Sequence, residues 1–171
     1  MLVPYIITGD MLAKAVKLET SLLAERRRKE YKDGTSEDMM EELVMDEEYE
    51  ILFKRLMNDG KADIMLNLSS NLIADTPTDM EPVYTEFPDF RQDRDFNLFL
   101  NMHADWPEQY RKTVENKLQQ YLIDFICYRW LETKSPNDAA TYFSRLSTTL
   151  EDVRRLLVRK KNPLKIQPTM Y

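Results

Sequence analysis

To be an enzyme, this chain would need a general base, a metal ligand set or an activated nucleophile, and its residue types supply little of any of them. There is one histidine, His103, and one cysteine, Cys127. A zinc site needs several such ligands converging on one point, so this pair cannot build one. The acids between residues 37 and 50 lack the Asp-x-Asp-x-Asp-Gly spacing of a calcium loop. His103 ends an extended segment with no Ser or Cys nucleophile beside it, which reads as a hydrogen-bonded structural histidine. Cys127 falls on the apolar side of a helical pattern and reads as a buried, inert thiol. A lone cysteine also rules out an intrachain disulfide and suits a reducing compartment. The three glycines, Gly9, Gly34 and Gly60, belong to no phosphate-cradling motif. Paired carboxylates for glycoside chemistry are open to any acidic chain, but a small enzyme without glycine-rich active-site loops would be unusual. The expectation is a protein that is not an enzyme and takes no metal or cofactor.

Charge is the stronger signal. The net charge is −6, with a marked separation along the chain. Glu37, Asp38, Glu41, Glu42, Asp46, Glu47, Glu48 and Glu50 form a run without a base, while Arg154, Arg155, Arg159, Lys160, Lys161 and Lys165 gather near residue 171. Two solvated helix faces are the ordinary reading. The sharper one is that an acidic face, with Glu41, Glu42, Glu47 and Glu48 at its centre, meets the basic end of another copy or lines a duct that carries a polyanion. Arg26, Arg27, Arg28 and Lys29 end a helical pattern, where cations suit the carbonyl end of the dipole without any nucleic acid.

The elements that must position these groups are mainly helical. Hydrophobic residues at 43% and charged residues at 32% favour neither disorder nor a membrane class. No apolar run approaches the ~18 residues of a spanning helix, and residues 1 to 5 lack the pattern of a signal peptide. Residues 1 to 9 read as an extended lead, with Gly9-Asp10 as the entry to a first helix whose modest stripe is Leu12, Val16, Leu22 and Leu23. Ser36 can cap a second, expected from Glu37 to about Ser69 as a nearly continuous helix. Gly60 is either a break in it or a place where a neighbour comes close. Thr76-Pro77, Glu81-Pro82 and Phe87-Pro88 forbid helix, and residues 83 to 87 and 96 to 102 look like two strands of a hairpin. In the second, Phe96, Leu98, Leu100 and Met102 alternate with Asn97, Phe99, Asn101 and His103; an isolated hairpin is marginal and needs a helix or another copy's strand against it, and these four residues are expected at a contact with another copy.

Asp105-Trp106-Pro107-Glu108 carries the signature of a capping box for a third long helix, with Tyr110, Val114, Leu118, Tyr121, Leu122, Phe125 and Arg129 recurring along its stripe. Ser135-Pro136-Asn137-Asp138 starts a fourth, with Ala139, Tyr142, Phe143, Leu146, Leu150, Val153, Leu156 and Leu157. So short a connection makes the two antiparallel neighbours. The expected fold is an antiparallel helical bundle over residues 1 to 158, with an extended insertion at about 76 to 104. An extended basic arm, 159 to 171, follows. Arg159, Lys160 and Lys161 supply its charge, Pro163 and Pro168 hold it extended, and Leu164, Ile166, Met170 and Tyr171 are its apolar teeth. A helix-turn-helix DNA reader is the competing reading. The negative charge and the aromatic face of the fourth helix, Tyr142, Phe143 and Leu146, weigh against it.

The lead into a helix, the long helix Glu37 to Ser69, the segment Tyr121-Leu122-Ile123-Asp124-Phe125-Ile126-Cys127-Tyr128-Arg129-Trp130-Leu131, the following Ser135-Pro136-Asn137-Asp138-Ala139-Ala140-Thr141-Tyr142 and the basic tail together resemble the head-tail connector proteins of tailed bacteriophages and prophages, of the type found in phages of Bacteroides-like gut bacteria. The resemblance rests on the last 70 or so residues and holds for the N-terminal half in outline. It implies a structural virion protein, made in the bacterial cytoplasm, that forms a ring of about a dozen copies at the neck. Its partners would be further copies of itself, the portal protein and other neck or tail proteins, with DNA passing through the lumen unread. The arm from Arg159 to Tyr171 would reach the portal, and residues 83 to 103 would contact a neighbour or the next ring. The middle segment, residues 70 to 104, is longer than in the simplest connectors.

Overall fold

A computed structural model of the chain describes residues 1–30, 42–71 and 96–160. Among these, four helices and a two-stranded sheet follow in the order β1 (Leu2–Ile7), α1 (Gly9–Glu30), α2 (Glu50–Asn67), β2 (Phe96–Asn101), α3 (Arg111–Leu131) and α4 (Pro136–Leu157). The mainly helical fold with a small antiparallel sheet is as expected from the sequence.

The sheet joins distant parts of the chain. β1 pairs antiparallel with β2, with Leu2 opposite Asn101 and Ile7 opposite Phe96. The Met102 amide extends the ladder by donating to the Met1 carbonyl at 2.7 Å. Alternation puts Val3, Tyr5 and Ile7 of β1 with Leu98 and Leu100 of β2 on the buried side. Pro4 is tolerated because its carbonyl points to the outer edge, where Arg111 donates to it at 3.2 Å. On an antiparallel strand the amide nitrogen points to the same side, so the donor that proline lacks is not needed by the ladder.

The expected hairpin is therefore corrected: the partner of the strand at 96 to 101 is the start of the chain. Residues 83 to 87 lie outside the described residues.

α3 is the centre of the molecule. Its buried residues, among them Leu118, Leu122, Ile126, Cys127 and Leu131, are distributed around nearly its whole circumference, because α1, α2, α4 and β1 all pack on it. The stripe expected from the sequence is one part of this surface, with Phe125 half-buried and Arg129 exposed. α4 runs antiparallel to α3 and makes the most extensive contact with it. α4 keeps a single stripe of Ala139, Tyr142, Leu146, Leu150, Val153 and Leu157. Phe143, expected in that stripe, is instead 59% exposed and leans on Tyr128 at 5.1 Å between ring centroids.

Two expected helix starts also change. Over the described part of 37 to 69, α2 begins only at Glu50, after an irregular stretch and a single 3-10 turn at Glu47–Tyr49. Before that turn the backbone bonds elsewhere: the Leu43 carbonyl accepts from the Trp130 indole at 2.8 Å, and the Met45 amide donates to Thr20 Oγ1 at 3.1 Å. Gly60 does not break α2. A Cβ there would stand 3.1 Å from Leu122 and from Phe125, so the glycine lets α2 approach α3 closely. The capping box at Asp105 is not formed. A 3-10 turn at Glu108–Tyr110 precedes α3, and the Asp105 amide donates to His103 Nδ1 at 3.1 Å.

Candidate functional site

Where α4 ends, the structure fixes the point from which the basic segment departs. Trp106 is fully buried and its indole N–H donates to the Leu156 carbonyl at 2.9 Å, which ties the last turn of α4 to the loop before α3. Two residues past the helix, Arg159 Nη1 donates to the Tyr110 hydroxyl at 3.0 Å, with the guanidinium 5.2 Å from the ring centroid. That hydrogen bond, with a second from Gln109, holds the Tyr110 phenol below its ordinary pKa. Lys160 then joins Pro107, Glu108, Gln109 and Tyr110 around an open recess of about 440 Å³. The recess brings together one ammonium, one carboxylate, a phenol and an amide.

Of the residues expected to bind a partner, Arg159 and Lys160 are thus brought together with the loop before α3. Lys161, Pro163, Leu164, Ile166, Met170 and Tyr171 lie outside the described residues. The other basic residues of α4 have partners within the chain. Arg154 Nη2 donates to the carbonyl and side chain of Asn67 at 3.0 and 3.2 Å, and Arg155 pairs with Glu151 at 2.6 Å.

The residues expected at a subunit contact fall elsewhere. Leu98, Leu100 and Met102 are buried in this chain's own core, because β2 turns its apolar side onto the helices. They present no side chain to a neighbour; Phe96 is described only as the first residue of β2.

The acidic face is described in part. Glu41 lies outside it, Glu42 and Glu48 are exposed, and Glu47 opens the 3-10 turn. What holds this segment is a basic and aromatic clamp that sequence reading missed. Lys134, in the turn between α3 and α4, places its ammonium 3.6 Å from the Trp130 ring centroid and 5.2 Å from that of Tyr49. It also donates to the Glu42 carbonyl. Trp130 and Tyr49 meet edge to face at 4.6 Å. The Tyr-Arg-Trp segment was visible in the sequence as a motif, but nothing in it named the loop it would grip.

Two further polar sets were also not foreseen. Arg27 binds Asp138 at 3.1 Å through Nε and 2.8 Å through Nη2, while Ser135 Oγ donates to the same carboxylate, so α1 is locked to the start of α4. The capping residues Ser135 and Asp138 therefore bond to each other and to Arg27 in place of the backbone.

Between α1, α3 and α4, Asp124 is 1% exposed. One of its oxygens accepts from Gln120 at 3.0 Å, Arg145 stands 3.9 Å away, and the other oxygen has no hydrogen-bond partner among the described residues. Burial drives its pKa up, outweighing Gln120 and Arg145. Cys127 beside it is fully buried, and burial pushes its thiol up as well, with Glu19 and Asp124 adding to the effect. It is no nucleophile at neutral pH. His103 is half-exposed and accepts a backbone hydrogen bond. Among the described residues no three His, Cys, Asp or Glu side chains are grouped to hold a metal ion, and no helix is long and apolar enough to cross a membrane. No protein-family model, curated protein or solved structure matches the chain.

Proposed function

We propose that this chain is a structural docking component that works by assembly, and that its assembly is the ring at the head-tail junction of a tailed phage suggested by the sequence resemblance. One observation carries the reading: the end of α4 is clamped at Trp106 and Tyr110, so the basic segment beginning at Arg159 starts from a rigid corner. A peptide launched from a fixed point loses less freedom on docking than one launched from a frayed helix. The portal is then the surface it meets, further copies stand beside it, and DNA passes without being read.

The alternative, a small helical DNA-binding or regulatory protein, asks for a row of bases aimed outward. Arg154, Arg155 and Arg159 each have a partner within the chain, which favours the first reading.

The experiment is a chain lacking Asn162 to Tyr171, offered to the portal protein beside the full chain. It should keep the helical circular dichroism and melting behaviour of the parent and lose capture by the portal. Equal capture of both sinks the reading. A duplex-DNA complex that weakens steeply with salt would favour the alternative.

A further inference from the structure

We propose that α1 is a self-docking helix: two copies of this chain pair through it, antiparallel, about a two-fold axis. α1 has two apolar sides. Leu12, Val16 and Leu23 are buried against the rest of the fold. Met11, Leu18 and Leu22 are 37%, 58% and 49% exposed and project from the opposite side, spaced by seven and then four residues, the repeat of a helix-helix seam. One exposed leucine is ordinary, but three large side chains in line along one helix make a face.

The charges beside that face indicate what covers it. In an antiparallel pair related by a perpendicular two-fold axis, each flank of the helix meets the same flank of the other copy. Setting Leu18 opposite the partner's Leu22 fixes the register. Lys14 then stands level, to within a residue, with the other copy's Glu25. Lys14 and Glu25 are both exposed, and Glu25 also pairs with Lys29 of its own chain at 2.7 Å, so Lys14 of the other copy would join an existing pair. The pairing occurs twice, and the two helix dipoles run antiparallel. A parallel pair would bring unlike flanks together and lose the match. Met11 falls opposite Lys29, whose methylenes can cover it.

The contact is separate from the docking of the basic segment, since it uses neither Arg159 nor Tyr110, and it is no ring contact, because a two-fold pair closes at two copies. One helix pair is at the low end of specific interfaces, below about 1,200 Å², so pairing should be concentration-dependent.

The test is molar mass by sedimentation at about 100 µM, well into the range where a weak contact of this size is populated. Twice the 20.4 kDa of one chain is expected, and a mass of 20.4 kDa overturns the proposal. Leu18→Glu, at an exposed position, should restore the single-chain mass, with the parent's melting temperature when both are diluted to single chains; a retained dimer overturns it. The charge exchange tests the direction of pairing. Lys14→Glu and Glu25→Lys should each weaken self-pairing tenfold or more, whereas an equimolar mixture of the two should pair as the parent does. A mixture no tighter than its components overturns the antiparallel arrangement.

Discussion

Two buried polar atoms have no hydrogen-bond partner among the described residues and so cost the fold stability: the Tyr5 hydroxyl and one oxygen of Asp124. Burial pushes the Tyr5 phenol up to about 12, so it is neutral at any ordinary pH and its cost is that of an unmade hydrogen bond. Tyr5→Phe should therefore raise the unfolding free energy by about 1 kcal/mol in urea denaturation. Asp124 differs because its charge is at stake. Its folded pKa lies above the unfolded value, so the folded state binds the proton more tightly. Stability is then highest below the unfolded pKa and is lost as pH rises through the folded one. Asp124→Asn removes the charge while leaving an acceptor for Gln120, and should add about 1 kcal/mol at pH 7. The gain should shrink as the comparison moves to acid, where the parent carboxyl is already protonated. A variant whose gain is the same at both pH values would show that packing, and not ionisation, separates the two chains.

At the scale of elements, Gly60 sets how closely α2 can lie on α3. In a helix interior alanine is favoured over glycine by roughly 1 kcal/mol, but here its methyl would sit 3.1 Å from both Leu122 and Phe125. The two effects nearly cancel, so Gly60→Ala should change stability by less than about 1 kcal/mol, whereas Gly60→Leu should cost roughly 3 kcal/mol by overpacking. Thermal melts of both variants check this. An equally mild loss in the leucine variant would mean that α2 can lift away.

The same pair of helices shows what the sequence made legible. Periodicity located α1, α3 and α4 because each carries apolar residues at helical spacing, and composition located the basic segment. The start of α2 was hidden, since Leu43 and Met45 continue an apolar pattern while their backbone bonds to Trp130 and Thr20, side chains remote in sequence. Alternation likewise exposed the strand at 96 to 101 but could not name β1 as its partner: pairing carries no local signature across a gap of about ninety residues. Of the candidate site, Arg159 and Lys160 were legible as charge, while Trp106, which anchors them, read only as part of a helix cap.

For the whole molecule, the sheet is the seam that closes the fold, because its two strands come from the start of the chain and from just before α3. Val3, Tyr5 and Ile7 are 3%, 1% and 0% exposed; Val3 and Tyr5 stand beside Leu100 and Leu98 on the buried face, and the strand packs on the central helix. Burial of each such side chain contributes about 1.5–3 kcal/mol, so loss of the strand removes several kcal/mol from a domain whose total stability is of order 5–15 kcal/mol. It would also leave β2 with no ladder partner among the described residues and an apolar side open to water. A chain beginning at Thr8 should accordingly retain much of its helical circular dichroism while losing a sharp thermal transition and gaining binding of a hydrophobic dye. The milder substitution Ile7→Ala should lower stability by roughly 2–4 kcal/mol with the transition still cooperative. If the shortened chain instead melts as sharply and at the same temperature as the parent, the helices around α3 form the folding unit by themselves and the sheet is an attachment to it.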